Sequence, residues 1–227
     1  AEFAFAQTLN LLRDIPAMLE VVRKGGWQPP EYSLAPRKDH FVYGDLAGRR
    51  VGLAGFGSIN RRYAEFARPF GCRMMTCDPF VSDDTLQQYG VQRVDSLVEL
   101  ASRSEIFVIG IPPTPTTMKI ISREVINALP TGSLFVLVTR MQVVEQEALW
   151  ERIRQNEIRA AIDVFDPEPP PADAWFRNHP HCLCSPHIAG GVFYCHERCF
   201  TSACEDAIAV LQGRQPVHHT GTEGASP

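Results

Sequence analysis

Short apolar runs alternate with stretches of helical apolar spacing along most of this chain. Val51 to Ala54 is one such run, and apolar residues at helical spacing from Ile59 to Phe70 lead to a second run, Met74 to Cys77. This order predicts a βαβ unit. The pattern repeats, with helices predicted over 95–104, 123–129, 145–155 and 193–211 and strands over 106–111, 134–138, 158–164 and around Leu183.

Strands that are apolar along their whole length are buried on both faces, which is typical of a parallel sheet between two layers of helices. Connections between parallel strands are right-handed, so alternating strands and helices wind the chain into an open sheet. We therefore predict an α/β fold, a doubly wound parallel sheet with helices on both faces.

Before the first strand, residues 1–12 are nearly all apolar, so a helix there is expected to present apolar surface on more than one side. Asp14 before Pro16 predicts a capped second helix that runs to about Lys24. Residues 27–45 contain prolines and scattered charges, which fits either a connecting loop or a dimer contact. The segment 215–227 has no apolar period and is expected to be a mobile tail.

Composition narrows the function classes. The 227 residues carry a net charge of −4, which provides no basic field for a nucleic acid. The apolar runs have strand length, so no membrane span is predicted. The seven cysteines are an odd number and no secretory leader precedes them, which favours reduced thiols and a cytoplasmic location. The chain opens on Ala1 without Met, so we expect it to be a fragment.

A glycine-rich turn follows the first predicted strand and opens a helix. The segment GFGSIN at 55–60 lets backbone amides approach a pyrophosphate at the positive end of that helix, which indicates a Rossmann-type dinucleotide site. Asp78 ends the next strand at the spacing of a carboxylate that binds ribose hydroxyls, and it favours NAD over NADP. The predicted pyrophosphate contacts are Gly55, Gly57, Ser58 and Ile59. The competing interpretation is a tight turn without a ligand.

Three polar residues follow later strands at the edge where open α/β sheets bind ligands. The Arg140 guanidinium suits a substrate carboxylate, although a surface ion pair fits equally well. His187 suits proton exchange near pH 7, and taken alone it also fits a buried structural histidine. Glu168 is the kind of carboxylate that orients a histidine, or else a solvated loop acid.

The cysteines and histidines near the C-terminus invite a metal hypothesis. Cys195 and Cys199 would share a helix face, whereas Cys182 and Cys184 are expected on opposite faces of a strand. No Cys-x-x-Cys pair is present. We therefore predict no metal site and interpret the cysteines as buried free thiols.

Taken together, these motifs resemble the NAD-dependent D-isomer-specific 2-hydroxyacid dehydrogenases, from Ala1 to about Gly213. The resemblance rests on the opening Ala-Glu-Phe helix, DLAG at 45–48, the glycine turn, Asp78, IPPTPTT at 111–117, Thr139-Arg140, DVFDPEP at 163–169 and SPHIAG at 185–190. It implies a homodimer formed through the nucleotide-binding domain, with the apolar first helix as a contact.

The resemblance implies specific roles for site residues. His187 is the acid/base, Glu168 its hydrogen-bonded partner and Arg140 the group that binds the substrate carboxylate and polarises the carbonyl. Asp163 matches an aspartate near the nicotinamide carboxamide. The cofactor-binding residues implied with NAD are Ile111, Pro112, Thr139, Arg140, Asp163, His187 and Gly190, beside those of the glycine turn. The implied activity is hydride transfer between NAD(H) and a small 2-hydroxy or 2-keto acid, such as glyoxylate, hydroxypyruvate or a phosphoglycerate-like acid.

The resemblance also divides the chain. It implies an NAD-binding domain at 1–190, a helix at 191–212 that returns to a substrate domain, and a tail at 213–227. The N-terminal part of that substrate domain is absent, so about 100 residues are expected upstream and the isolated chain is expected to bind cofactor without turnover.

Two residues depart from the family pattern. Asn60 stands where the fingerprint has a third small residue, and Met141 follows Arg140 where a small residue is usual. Asn60 is expected to loosen the packing of helix against strand. The alternative function is an NAD(H)-sensing binding protein of the C-terminal binding protein corepressor type, because fold alone does not separate it from an enzyme.

Overall fold

Buried apolar strands and the helices between them build one parallel sheet. The computed structural model describes residues 1–27 and 44–216. Within them the strands are β1 (Arg50–Ala54), β2 (Arg73–Cys77), β3 (Val91–Arg93), β4 (Ile106–Ile109), β5 (Leu134–Leu137), β6 (Arg159–Ile162) and β7 (Cys182–Cys184). The helices are α1 (Glu2–Arg13), α2 (Ile15–Arg23), α3 (Ser58–Ala67), α4 (Asp83–Tyr89), α5 (Leu97–Ser102), α6 (Arg123–Ala128), α7 (Gln146–Arg154) and α8 (Cys195–Leu211).

The strand order is β3-β2-β1-β4-β5-β6-β7, and every pair is parallel. The chain runs outward from β1 to β3 and then crosses back to β4, so the order reverses between β1 and β4. Ligands of open α/β sheets bind at such a reversal, outside the carboxyl ends of the strands. The doubly wound parallel sheet predicted from the sequence is confirmed.

The central strands β4, β5 and β6 bury both faces, as their continuous apolar sequences predict. Phe107 and Phe135 pack into the core on one face together with residues of α5, α6 and α7. Val108 and Val136, their neighbours along β4 and β5, pack into the second core with residues of α1, α3 and α4. This alternation follows from the two-residue period of a strand.

Helix α1 covers part of the second face. It buries Ala4, Thr8 and Leu11, among others, and contacts β5, β6 and α3. The Thr8 hydroxyl donates to Ala4 O and shares a hydrogen bond of 2.9 Å with the hydroxyl of the fully buried Tyr63. The apolar surface of α1 is therefore largely used within the subunit.

The junction between α1 and α2 is tied to β6. Arg159 is 3% exposed, and its guanidinium donates to Leu11 O at 3.1 Å and to Asp14 Oδ1 at 2.7 Å. Asp14 begins α2 as predicted, but its side chain makes no capping hydrogen bond. The predicted cap is wrong because the carboxylate pairs with Arg159 instead.

Helix α4 and strand β3 were not predicted. Ser82 caps α4 by accepting from the Thr85 N–H at 3.2 Å, and Gly90 ends it in a left-handed conformation. Both elements are short and largely polar, with seven and three residues. A three-residue edge strand shows too little alternation to stand out from a loop.

The described chain divides into two compact units, Ala1–Ala189 and a second that starts at Gly190 and contains α8. The predicted arm at 27–45 and the predicted tail at 213–227 lie mostly outside the described residues. No helix within the described ranges combines the length and apolar character needed to cross a bilayer.

Candidate active site at the carboxyl edge of the sheet

The glycine turn leaves space above the start of α3. Gly55 has a φ of +77°, and a β-carbon there would lie 3.0 Å from Ile111 Cγ1, so both conformation and space favour glycine. A β-carbon on Gly57 would meet nothing within 4 Å. Gly57 makes no side-chain cap, so the first N–H groups of α3, at Ser58 and Ile59, remain available to an anion.

Asp78 lies directly beside this turn. Its Oδ2 accepts the Phe56 N–H at 2.6 Å and its Oδ1 accepts the Phe80 N–H at 2.8 Å. The carboxylate is therefore held between the glycine turn and the end of β2, and its binding of ribose hydroxyls stays a prediction. Its remaining lone pairs are free to accept from ribose hydroxyls.

Two further segments line the same edge. Ile111 and Pro112 follow β4. Ile111 is 8% exposed, and its side chain lies next to Gly55. Thr139 follows β5 and is buried, and its main-chain oxygen accepts a hydrogen bond from Arg140 Nη1 at 2.7 Å. Met141 is also buried. Its side chain packs in the hydrophobic core and not in the site.

Arg140, His187 and Glu168 form one chain of contacts. His187 Nδ1 lies 2.8 Å from Glu168 Oε2, and His187 Nε2 lies 3.4 Å from Arg140 Nη1. A guanidinium only donates, so Nε2 is the accepting nitrogen and Nδ1 carries the hydrogen in the neutral ring. The sequence predicted these three residues at one edge, and the structure brings them together.

The surroundings of Glu168 lower the pKa of its carboxyl group. Burial raises the pKa of its carboxyl, but hydrogen bonds from the Phe165 N–H and from His187 and the positive charge of Arg140 outweigh burial and hold that pKa below its usual range. The Phe165 N–H donates to Oε1 at 2.8 Å, which leaves Oε2 for the histidine. The Glu168 carboxyl is therefore held in its ionised form as the partner of His187 Nδ1.

Asp163 organises the loop that carries the histidine. Its carboxylate is 1% exposed and accepts from the Ser185 hydroxyl at 2.6 Å, the Ile188 N–H at 3.0 Å and the Ala189 N–H at 2.8 Å. Its role near the nicotinamide stays a prediction. Ser185 was missed, although a hydroxyl directly after β7 and two residues before the histidine was a usable signal.

A cavity of about 660 Å³ lies beside Glu168 and His187. Its lining is mainly apolar, and it consists of Phe165, Glu168, Pro169, Pro170, Phe176, Arg177, Cys184, Ser185, Pro186 and His187. Gly190 belongs to the second unit, and its cofactor role also stays a prediction.

The cysteines of β7 differ from expectation. The Sγ atoms of Cys182 and Cys184 lie 3.5 Å apart, so the prediction that they point to opposite faces is wrong. Residues two apart in a strand share a face. Among the described side chains, no three or more His, Cys, Asp or Glu residues converge in a way that could hold a metal ion.

Comparison with known proteins adds independent information. Residues 5–189 match the sequence model described as "D-isomer specific 2-hydroxyacid dehydrogenase, NAD binding domain". D-3-phosphoglycerate dehydrogenase of Methanocaldococcus jannaschii is 28% identical over 214 residues, which are 94% of this chain and 39% of that protein. Glyoxylate reductase of Korarchaeum cryptofilum is 28% identical over 217 residues, which are 95% of this chain and 64% of that protein.

A solved structure agrees with these matches. The TT0316 protein of Thermus thermophilus superposes with a TM-score of 0.76 at 28% identity, covering 95% of this chain and 66% of that one. The chain thus spans between 39% and 64% of the two curated relatives named above.

Proposed function

Because this chain belongs to the D-isomer specific 2-hydroxyacid dehydrogenase family, we propose that it serves hydride transfer between NAD(H) and a small 2-hydroxy or 2-keto acid. One arrangement carries the proposal, namely the contacts of His187 with Glu168 at 2.8 Å and with Arg140 at 3.4 Å. These contacts lie at the carboxyl edge of the sheet, where the glycine turn also ends.

The proposed mechanism gives each side chain one task. The nicotinamide supplies or accepts the hydride when NAD(H) is bound. In reduction, protonated His187 donates the proton on Nε2 to the substrate oxygen, while Glu168 stabilises the imidazolium through Nδ1–H. Arg140 holds the substrate carboxylate and stabilises negative charge as it grows on the oxygen. Acid/base catalysis of this kind contributes on the order of a hundred- to ten-thousandfold.

Asp78 supports a preference for NAD over NADP. Its carboxylate stands beside the glycine turn, bound to the Phe56 N–H at 2.6 Å. A negative charge there accepts hydrogen bonds from ribose hydroxyls and repels a 2′-phosphate. We therefore propose NAD as the cofactor.

The proposed substrates share a carboxylate next to a carbonyl or hydroxyl group. Arg140 and His187 suit that pair of groups because a guanidinium binds a carboxylate and an imidazole exchanges a proton with an oxygen. Glyoxylate, hydroxypyruvate and phosphohydroxypyruvate all have this chemistry. The names of the two relatives, a D-3-phosphoglycerate dehydrogenase and a glyoxylate reductase, support the same class.

We propose further that the protein is a cytoplasmic homodimer that uses α2. None of the residues of α2 is buried, and Ile15, Leu19 and Val22 follow helical spacing with exposures of 39%, 50% and 56%. A second copy that covers this apolar stripe would remove it from water. We expect Leu19→Glu to reduce the mass measured by analytical ultracentrifugation to that of one chain, and Glu20→Gln to leave it unchanged.

A cofactor titration tests the main proposal. Energy transfer from tryptophan to the nicotinamide is followed as NADH or NADPH is added, with Trp150 and Trp175 as donors in the described chain. We expect saturable NADH binding with a clear preference over NADPH. A parallel assay with glyoxylate and hydroxypyruvate measures turnover. Absence of NADH binding would contradict the proposal. NADH binding without turnover, measured on the full-length natural protein, would favour the NAD(H)-sensing alternative.

A further inference from the structure

Asn60 occupies the third small-residue position of the fingerprint and is completely buried. Its Nδ2 donates to Gly55 O at 2.7 Å, and the main-chain oxygens of Ala54 and Val108 lie at 3.3 and 3.4 Å. The expected loosening of helix against strand is not observed. The amide instead joins the start of α3 to the ends of β1 and β4.

Space for this side chain comes from Gly110, fifty positions along the chain. A β-carbon on Gly110 would lie 2.4 Å from Asn60 Nδ2 and 2.6 Å from its Cγ, closer than real β-carbons approach other atoms. Gly110 does not adopt a positive φ, so its backbone conformation does not require glycine. Position 110 must be glycine because the Asn60 side chain fills the space that a β-carbon there would occupy.

The peptide group between Gly55 and Phe56 is held at both ends. Its carbonyl oxygen accepts from Asn60 Nδ2 at 2.7 Å, and its N–H donates to Asp78 Oδ2 at 2.6 Å. A peptide group is planar, so fixing its oxygen also fixes the direction of its N–H. Asn60 therefore acts on the Asp78 carboxylate through this one peptide plane.

We propose that Asn60 is a positioning residue for the ADP-ribose half of the dinucleotide. By fixing the peptide plane of Gly55 and Phe56, it holds Asp78 ready for the ribose hydroxyls and keeps the turn open at Gly57. Gly110 is its matched partner in size. This inference rests on the proposed cofactor function, and it assigns a role to the residue by which this chain departs from the fingerprint.

The ligand test compares Asn60→Ala with wild type, using NADH and free ADP-ribose as probes. We expect both to bind roughly tenfold more weakly to the variant, because a buried carbonyl loses its donor and the turn loses its fixed orientation. The Asp78→Asn and Asn60→Ala effects on NADH affinity should be less than additive, since both act through one peptide group. Additive effects would contradict the coupling.

A readout without ligand tests the positioning itself. Hydrogen exchange of the Phe56 amide should be faster in Asn60→Ala than in wild type, because the peptide plane is freed at its oxygen. Ile126→Val removes one methylene on the opposite face of the sheet and controls for general loss of stability. It should leave the Phe56 exchange and the NADH affinity unchanged. Equal exchange in wild type and Asn60→Ala would overturn the proposal.

A double-mutant cycle, measured by melting temperature, tests the pairing of Asn60 with Gly110. We expect Gly110→Ala to lower the melting temperature in wild type and to be neutral or stabilising in the Asn60→Gly background, where the added methyl group fills the void. Equal losses in both backgrounds would overturn the matched pair. Wild-type protein that fails to bind NADH would contradict the proposed function, whereas NADH binding that Asn60→Ala leaves unchanged would contradict this inference alone.

Discussion

The main-chain oxygen of Asp163 accepts the N–H of His187 at 2.8 Å, and this contact fixes the histidine to the end of β6. His187 has a φ of +54°, a left-handed conformation that costs a non-glycine residue about 1–3 kcal/mol. The hydrogen bonds that the Asp163 side chain accepts from Ser185, Ile188 and Ala189 stabilise the same loop. The ring is therefore held from below while its two nitrogens contact Glu168 and Arg140.

Replacement of Asp163 by Asn should destabilise the fold. The amide NH₂ of Asn cannot accept a hydrogen bond, so at least one donor that now bonds to the Asp163 carboxylate would lose its acceptor. We expect the free energy of unfolding to fall by about 1–3 kcal/mol. Urea unfolding measures it. Asp166→Asn, at an exposed position three residues later, should change the free energy of unfolding by less than 0.5 kcal/mol in either direction, about the limit for surface changes. Equal stability of both variants would contradict the role of Asp163.

Glu168 should determine the tautomer of His187. In the neutral ring we expect the hydrogen on Nδ1, since Oε2 of Glu168 lies 2.8 Å from that nitrogen. Nitrogen-15 NMR distinguishes the two ring nitrogens. Glu168→Ala should shift the population toward hydrogen on Nε2, whereas Glu124→Ala, on the surface of α6, should have no effect. A spectrum that does not respond to Glu168→Ala would contradict the assigned contact.

Acid should weaken the contribution of Glu168 to stability. The pKa of Glu168 is lower in the folded protein than its ordinary value of 4.5, so the carboxylate stabilises the fold fully above that ordinary value. The contribution is lost as the pH falls through the folded pKa. Unfolding free energy measured against pH should therefore fall more steeply below about 4.5 in wild type than in Glu168→Gln. Parallel curves would contradict the lowered pKa.

Asp78→Asn should reduce the preference for NADH over NADPH. The change removes a negative charge and its charge-assisted hydrogen bonds, which are worth about 1.5–3 kcal/mol, or roughly 10- to 150-fold in affinity. Fluorescence titration with both cofactors measures the ratio. Asp84→Asn, in the first turn of α4, is the control. It changes the net charge by the same amount away from the glycine turn and should preserve the ratio of affinities.

Tyr63→Phe should cost about 1 kcal/mol of stability, because it removes the hydrogen bond between the buried Tyr63 hydroxyl and Thr8. Burial raises the pKa of this hydroxyl, consistent with its exclusion from water. Denaturant unfolding measures the loss. Tyr89→Phe is the matched control because the described structure gives its hydroxyl no hydrogen bond, and a loss equal to that of Tyr63→Phe would contradict the assignment.

Local pattern was sufficient for much of the fold and for the position of the site. Continuous apolar strands require burial on both faces, and parallel strands bring Asp78, Arg140 and His187 to one edge whatever their exact contacts. The contacts of Asp163 were not predictable, because they join its carboxylate to one hydroxyl and two backbone N–H groups 22 to 26 residues away. The fit of Asn60 depends on Gly110, and no local pattern in the sequence relates two positions on different elements.

The bond between Arg159 and Leu11 O has a consequence for the growing polypeptide. The two residues are 148 positions apart, so at about 5–20 residues per second a ribosome needs roughly 7–30 s to make the second after the first. During most of that interval α1 lacks β5 and β6, the two strands of the sheet that it contacts. Slowed or arrested synthesis before β5 therefore leaves part of the apolar surface of this helix uncovered, and such nascent chains should depend on holding chaperones more than the completed protein does.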